Sequence, residues 1–301
     1  MRALLAVLAL AALTAGCGSS RSRSERSAPE PGSLEALWRQ SGEAVALIPG
    51  TSDYSPGDVR ISFLVVDNHG RVIAPRTAQV WIARSLTSRP FGRTTARLEH
   101  VGVPGVSTDS EVKAIYVVHV RIPTPGTYYI LARPRGRVRI GGIRQLVVRA
   151  RSATPAVGAR AYPSRTPTLS STGGDLAELT TRTPPDRGLL QYSIAGSLRT
   201  HVPFVVTFAT PRYCSSRTCG PVVDVVDQVR RRFMRKSIRF IHVEIYAHND
   251  PRNGRNRWVR EWHLPSEPWT FLVGRDGRIR AKLDGSISIR ELEQAVLANL
   301  H

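Results

Sequence analysis

A change of periodicity near residue 150 constrains the fold of this chain more than any other feature. Before it stand five runs rich in Val, Ile, Tyr and Thr: VRISFLVVD, TAQVWIARS, KAIYVVHVRI, TYYILARPR and RQLVVRA. The turn signals SPGD, DNHG, PTPG and RGRVRIGG separate them, a pattern of short strands joined by tight turns. The spacing predicts an all-β antiparallel sandwich over 42–150. This region has no cysteine and no cluster of histidine or acid, so it reads as a scaffold or spacer, with a binding module as the lesser alternative. A segment rich in Pro, Ser and Gly, 151–189, reads as a linker.

From about Leu190 the pattern becomes that of an α/β domain, 190–301. Tyr192 to Arg199 fits a short helix, VPFVVTFAT a buried strand, and PVVDVVDQVRRRFMR a helix with Val222, Val225, Val226, Val229 and Phe233 on one face. IRFIHVEIYAH reads as a second buried strand, and PWTFLVG with GRIRAKLDG as a hairpin turning on Asp276-Gly277. Ser288 and Glu291 form a capping box ahead of a final amphipathic helix.

The chain opens MRALLAVLALAALTAGC. The apolar stretch is too short to cross a bilayer of roughly 30 Å and reads as an export signal. Its end resembles a bacterial lipoprotein signal, with Ala15 and Gly16 before Cys17, although Thr14 stands where Leu is usual. The resemblance implies removal of 1–16, lipidation of Cys17 and anchoring to the outer face of the cytoplasmic membrane. Residues 17–41 then form a flexible tether and a short helix, SLEALWRQ. The formal net charge is +20. Nearly all of it is arginine, scattered along the sequence, with lysine only at 113, 236 and 282. An exported chain meets little nucleic acid, so no nucleic-acid partner is expected. The membrane, reached through the anchor, is, and the chain is expected to be a monomer.

With Cys17 assigned to lipid, Cys214 and Cys219 are the two remaining thiols, and their only intramolecular partners are each other. They stand in PRYCSSRTCGPVVDVV, between a buried strand and a helix. By themselves they fit a catalytic dithiol, a metal clip or a staple. On a regular helix two residues five apart lie beyond the usual disulfide window of about 4.4–6.8 Å between Cα atoms. A bridge therefore requires part of SSRT to be non-helical, and Gly220-Pro221 suits a late helix start. Thiolates form more readily beside cations, and Arg212 and Arg217 flank Cys214 closely. Ser215, Ser216 and Thr218 lack the ordered partners of a hydrolase nucleophile.

The last third of the chain resembles the thioredoxin-like fold, and 42–150 is similar in pattern to the immunoglobulin-like domains of exported bacterial proteins. The thioredoxin-like resemblance rests on Cys214 after Phe208, Pro221 in the following helix, Pro268 entering the next strand, Gly285 and the closing helix. It implies that Cys214 is the nucleophile and Cys219 its resolving partner. It also implies that Pro268 is cis and faces them, and that Glu267 tunes their protons. The implied activity is thiol–disulfide exchange with exported proteins that carry thiols or disulfides, with no cofactor. The spacing is C-x4-C where the family has C-x-x-C, and Thr207 replaces a buried Asp. Trp269 and Tyr213 read as packing. A copper-delivery alternative of the Sco type would use Cys214, Cys219 and His263, with His242 and His248 nearby in sequence, since thiolate and imidazole suit Cu(I). In it the cysteine spacing is one residue long and His263 about five residues early. A peroxidase reading is weaker, because Pro211 stands at the position of the expected Thr. A binding or assembly lipoprotein with a structural disulfide is the third reading.

Overall fold

In the computed structural model, residues 28–40, 45–105, 112–136, 141–213 and 221–300 are described. Cys17, Cys214, Arg217 and Cys219 lie outside them. The short helix α1 (Leu34–Trp38) is capped by the Ser33 hydroxyl, which accepts from the Ala36 N–H. Seven strands follow: β1 (Ala46–Pro49), β2 (Gly57–Val66), β3 (Thr77–Ala83), β4 (Gly92–His100), β5 (Ala114–Ile122), β6 (Gly126–Pro134) and β7 (Gly142–Val148). They form one sheet in the order β1-β2-β5-β4-β3-β6-β7, antiparallel throughout.

That sheet curls until its edges nearly meet. Gly142 of β7 lies so close to Leu47 of β1 that a Cβ there would sit 3.3 Å from the Leu47 Cβ. Beyond the strand ends Tyr54 bridges Val148, and the Arg149 N–H donates to the Tyr54 carbonyl at 2.9 Å. Alternate residues such as Ile61, Phe63, Val80, Ile82, Tyr116 and Ile130 fill the interior. The immunoglobulin-like sandwich expected for 42–150 is thus corrected to a nearly closed seven-stranded barrel. Strand spacing alone cannot separate the two, because both alternate inward and outward residues between tight turns.

The chain continues with α2 (Ile194–Arg199), β8 (Phe204–Phe208), α3 (Val222–Arg232), β9 (Arg239–Val243), α4 (Arg257–Glu261), β10 (Trp269–Val273), β11 (Ile279–Asp284) and α5 (Ile289–Asn299). Its strands form a second sheet in the order β11-β10-β8-β9, in which only β8 and β9 run parallel. The expected α/β thioredoxin-like domain is corrected as well. The described chain is predominantly β, with eleven strands in two sheets against five short α-helices, of which only α3 and α5 exceed six residues. The sequence marks the apolar runs, but an apolar run does not reveal whether its neighbours pair parallel or antiparallel.

The 151–189 segment, read as a linker, lies along the second sheet. The Ala161 N–H donates to the Gly277 carbonyl and the Ile279 N–H to the Ala159 carbonyl, each at 2.9 Å. Charged side chains join the two sheets. Arg60 of β2 donates to Glu291 at 2.5 Å and to the carbonyls of Asp284 and Ser286 at 2.6 Å. Lys282 reaches the hydroxyls of Ser152 and Thr154, and Arg290 pairs with Glu99. Gly285, at φ 79°, packs so tightly that a Cβ would lie 2.1 Å from the Gly50 carbonyl oxygen. The capping box is half realised. The Ser288 hydroxyl accepts from the Glu291 N–H at 3.0 Å, while the Glu291 carboxylate turns to Arg60.

Candidate functional site

Strand β9 is buried on both faces, and its period of two places Phe240, His242 and then Glu244 on one of them. His242 Nε2 lies 3.0 Å from the Ala209 carbonyl and Nδ1 lies 3.4 Å from Thr180 Oγ1. Glu244 is 5% exposed. Its Oε1 accepts from the Thr181 N–H at 2.6 Å and from the Thr181 hydroxyl at 2.8 Å, while Oε2 has no hydrogen-bond partner among the described residues.

Thr181 links this carboxylate to the chain that leads into the cysteine segment. Its hydroxyl oxygen accepts from the Arg212 N–H at 3.2 Å. The Arg212 guanidinium lies over the Tyr213 ring at 5.5 Å, and that ring stands edge-on to Tyr246 at 6.3 Å. Arg182, next to Thr181, holds Asp224 in the first turn of α3 through a 2.7 Å bond. The residues on either side of 214–220 are therefore tied to one polar cluster.

Glu267 belongs to the same cluster. Burial and the neighbouring Glu244 charge push its carboxyl up to about 7, against the opposing pull of Arg255 and a hydrogen bond with Tyr246. The Tyr246 phenol is itself raised, by burial and by the Glu267 charge. The Glu267–Pro268 peptide bond is cis, and the Pro268 carbonyl accepts from the Gly285 N–H at 2.9 Å.

The structure thus brings Glu267, Pro268, Arg212 and Tyr213 together. It sets His263 elsewhere, exposed, at φ 51° and edge-on to Tyr162 at 6.1 Å. Trp269 is buried, stacks on Phe271 and donates its indole N–H to Ser266. Thr207 pairs with Thr270 across the sheet at 3.0 Å. Among the described residues no group of three or more His, Cys, Asp or Glu could hold a metal ion; the cysteines of the copper alternative, Cys214 and Cys219, lie outside those residues. Sequence reasoning passed over Glu244, Tyr246, Thr181 and Arg255. The available signal was HVE inside an otherwise apolar strand, because an acid two residues from a histidine on a buried face needs a reason to be there.

Comparisons with known proteins add little. No protein-family model matches the chain, and no curated protein matches it. Among solved structures, one provisionally described as a superoxide reductase from Thermotoga maritima is similar over 36% of this chain and 88% of that one. Its identity is 12% and its TM-score 0.20, a level at which likeness says nothing of shared fold or function.

Proposed function

We propose that this protein exchanges thiols and disulfides with exported proteins through Cys214 and Cys219, held at the membrane's outer face by lipid on Cys17. Glu267 carries the reading: a half-buried carboxyl near 7, bonded to the tyrosine against which Tyr213 packs, and Tyr213 is followed in the chain by Cys214. A proton acceptor works best when its affinity matches the working pH, and a thiol must lose its proton before it attacks.

In the reducing direction Glu267 takes the proton from a thiol of the pair, and the Cys214 thiolate attacks one sulfur of a partner disulfide. One S–S bond breaks, a mixed disulfide forms, and the partner's other sulfur leaves as a thiolate that the Glu267 proton neutralises. Glu267 then takes the Cys219 proton, and the Cys219 thiolate attacks Cys214 in the mixed disulfide. The second partner sulfur leaves as a thiolate, takes up that proton, and Cys214–Cys219 is left oxidised. Two electrons and two protons have passed to the partner, and the reverse sequence oxidises a partner dithiol.

Equilibration of the chain from Gly18 onward in thiol buffers tests the proposal. A Cys214–Cys219 reduction potential between roughly −270 and −120 mV supports exchange, and one below about −300 mV marks a structural bridge and ends the proposal.

A further inference from the structure

Positive charge on the seven-stranded barrel collects on one side. The stretches 77–98 and 123–151 hold β3, β6, β7 and most of β4, and together they contain eleven arginines and no aspartate or glutamate. β4, β3, β6 and β7 are successive neighbours in the sheet, so these arginines share one part of the barrel wall. All of those in the described residues are exposed except Arg133, which is half-buried. Arg93 and Arg133 both lie over the Trp81 ring, at 5.9 and 5.1 Å. Contacts with the second sheet are made elsewhere, by Arg60 of β2, by Asp53 after β1 and by Glu99 near the end of β4. The segment that packs onto this side brings two acids, Glu35, which Arg39 takes at 2.5 Å, and the exposed Glu30.

The same side carries an apolar groove of about 510 Å³, walled by Trp38, Leu86, Tyr129, Ile143, Arg144 and Val147. Trp38 is 40% exposed and Val147 56%. Trp38 ends α1, and the start of α1 is fixed to the barrel by the Leu34 and Glu35 N–H groups, which donate to the Ser88 and Leu86 carbonyls at 3.0 and 2.8 Å. Exposed apolar groups with a polar rim mark a contact site. Apolar area combined with surrounding cations is what binds a protein to an anionic lipid surface, and a tryptophan ring suits the headgroup layer.

The path of the chain favours a bilayer over a soluble partner. Ala28 stands eleven residues after Cys17, a stretch of at most about 40 Å. Lipid on Cys17 would therefore hold α1 and its groove within reach of headgroups, at a high effective concentration that makes even weak surface contacts count.

We propose that this side of the barrel lies on an anionic bilayer, with its arginines among the lipid phosphates and Trp38 and Val147 in the headgroup layer. The inference rests on the anchored reading for its setting. Its test needs no lipid on Cys17, so the two fail separately, and the modification itself is read by mass spectrometry of the exported protein.

Cosedimentation of the chain from Gly18 onward with vesicles is the test, using phosphatidylcholine alone and an equal mixture with phosphatidylglycerol. The mixed vesicles are expected to bind roughly thirtyfold tighter, a margin that fades as salt shortens the screening length. Because any chain of charge +20 is drawn to such vesicles, two triple variants of equal charge are compared. Arg89→Gln, Arg93→Gln and Arg144→Gln together are expected to remove most of the margin. Arg165→Gln, Arg199→Gln and Arg235→Gln, exposed positions outside the barrel, are expected to leave most of it. Equal losses in the two variants, or no preference of the wild type for the mixed vesicles, overturn the proposal. A second readout uses only the wild type. Bicelles of the same mixture carrying a headgroup spin label are expected to broaden the Trp38 indole N–H resonance and to spare that of Trp258. A sharp Trp38 resonance in the presence of bound bicelles overturns the proposal.

Discussion

In the seven-stranded barrel buried charge is answered by opposite charge or by main-chain donors, whereas at the end of β9 two carboxyl groups crowd together with incomplete compensation. Asp67 of the barrel accepts from the His69 and Arg71 N–H groups and from the Arg71 side chain. Glu99 takes Ser288 and Arg290, and Arg60 takes Glu291 and two carbonyls. In the second sheet Glu244 keeps one oxygen without a hydrogen bond among the described residues, and Glu267 is held near 7. A fold built only for stability gains nothing from such an arrangement, so the contrast separates scaffold from site.

The strongest way to break the comparison is to remove the group that the perturbed carboxyls are proposed to serve. Cys214→Ser is expected to abolish turnover in an insulin-reduction assay while leaving the circular dichroism spectrum unchanged. Retained activity would remove the cysteine pair from the chemistry.

Next comes making the barrel resemble the site. Arg60→Met strands the Glu291 carboxylate at a junction where the two side chains are 7% and 10% exposed. Denaturant unfolding should show a loss of about 3–5 kcal/mol, the usual cost of breaking one side of a buried pair. A loss below about 1 kcal/mol would mean that the junction charges are solvated and the contrast is false.

A smaller effect concerns pH. The folded-state affinity of Glu267 for its proton is raised from an ordinary 4.5 to about 7. Its contribution to stability is therefore fully present below about pH 4.5 and is lost as pH rises through 7. Glu267→Gln should flatten this part of the stability profile, measured as unfolding midpoints between pH 4.5 and 8. The smallest expected change is Ser288→Ala. It removes the hydroxyl that caps α5 and bonds Glu99, at a cost of about 1 kcal/mol.

Local chemistry was legible in the sequence, and closure was not. The Ser288 cap, the Asp276-Gly277 turn and the apolar face of α3 follow from residue type and spacing. Their partners are set by neighbours close along the chain. Barrel closure depends on Leu47 meeting Gly142, and the sheet junction on Arg60 meeting Glu291, pairs about a hundred or more residues apart. Strand patterning carries no signal for either. The site was half legible. Glu267 and Arg212 stood beside prolines and cysteines that drew notice, while Thr181 lay hidden in a segment whose composition reads as a linker and Glu244 in a strand read only as buried. Proline and serine mark irregular backbone, and irregular backbone can still pack along a sheet and donate to a buried carboxylate.

The most direct test is the pH dependence of the disulfide-exchange rate in the wild type and in Glu267→Gln, measured at constant ionic strength with a small disulfide substrate. If Glu267 serves the cysteine pair, the wild-type profile bends near pH 7 and the variant loses that bend together with roughly a hundredfold in rate below pH 8. Superimposable profiles would contradict that role.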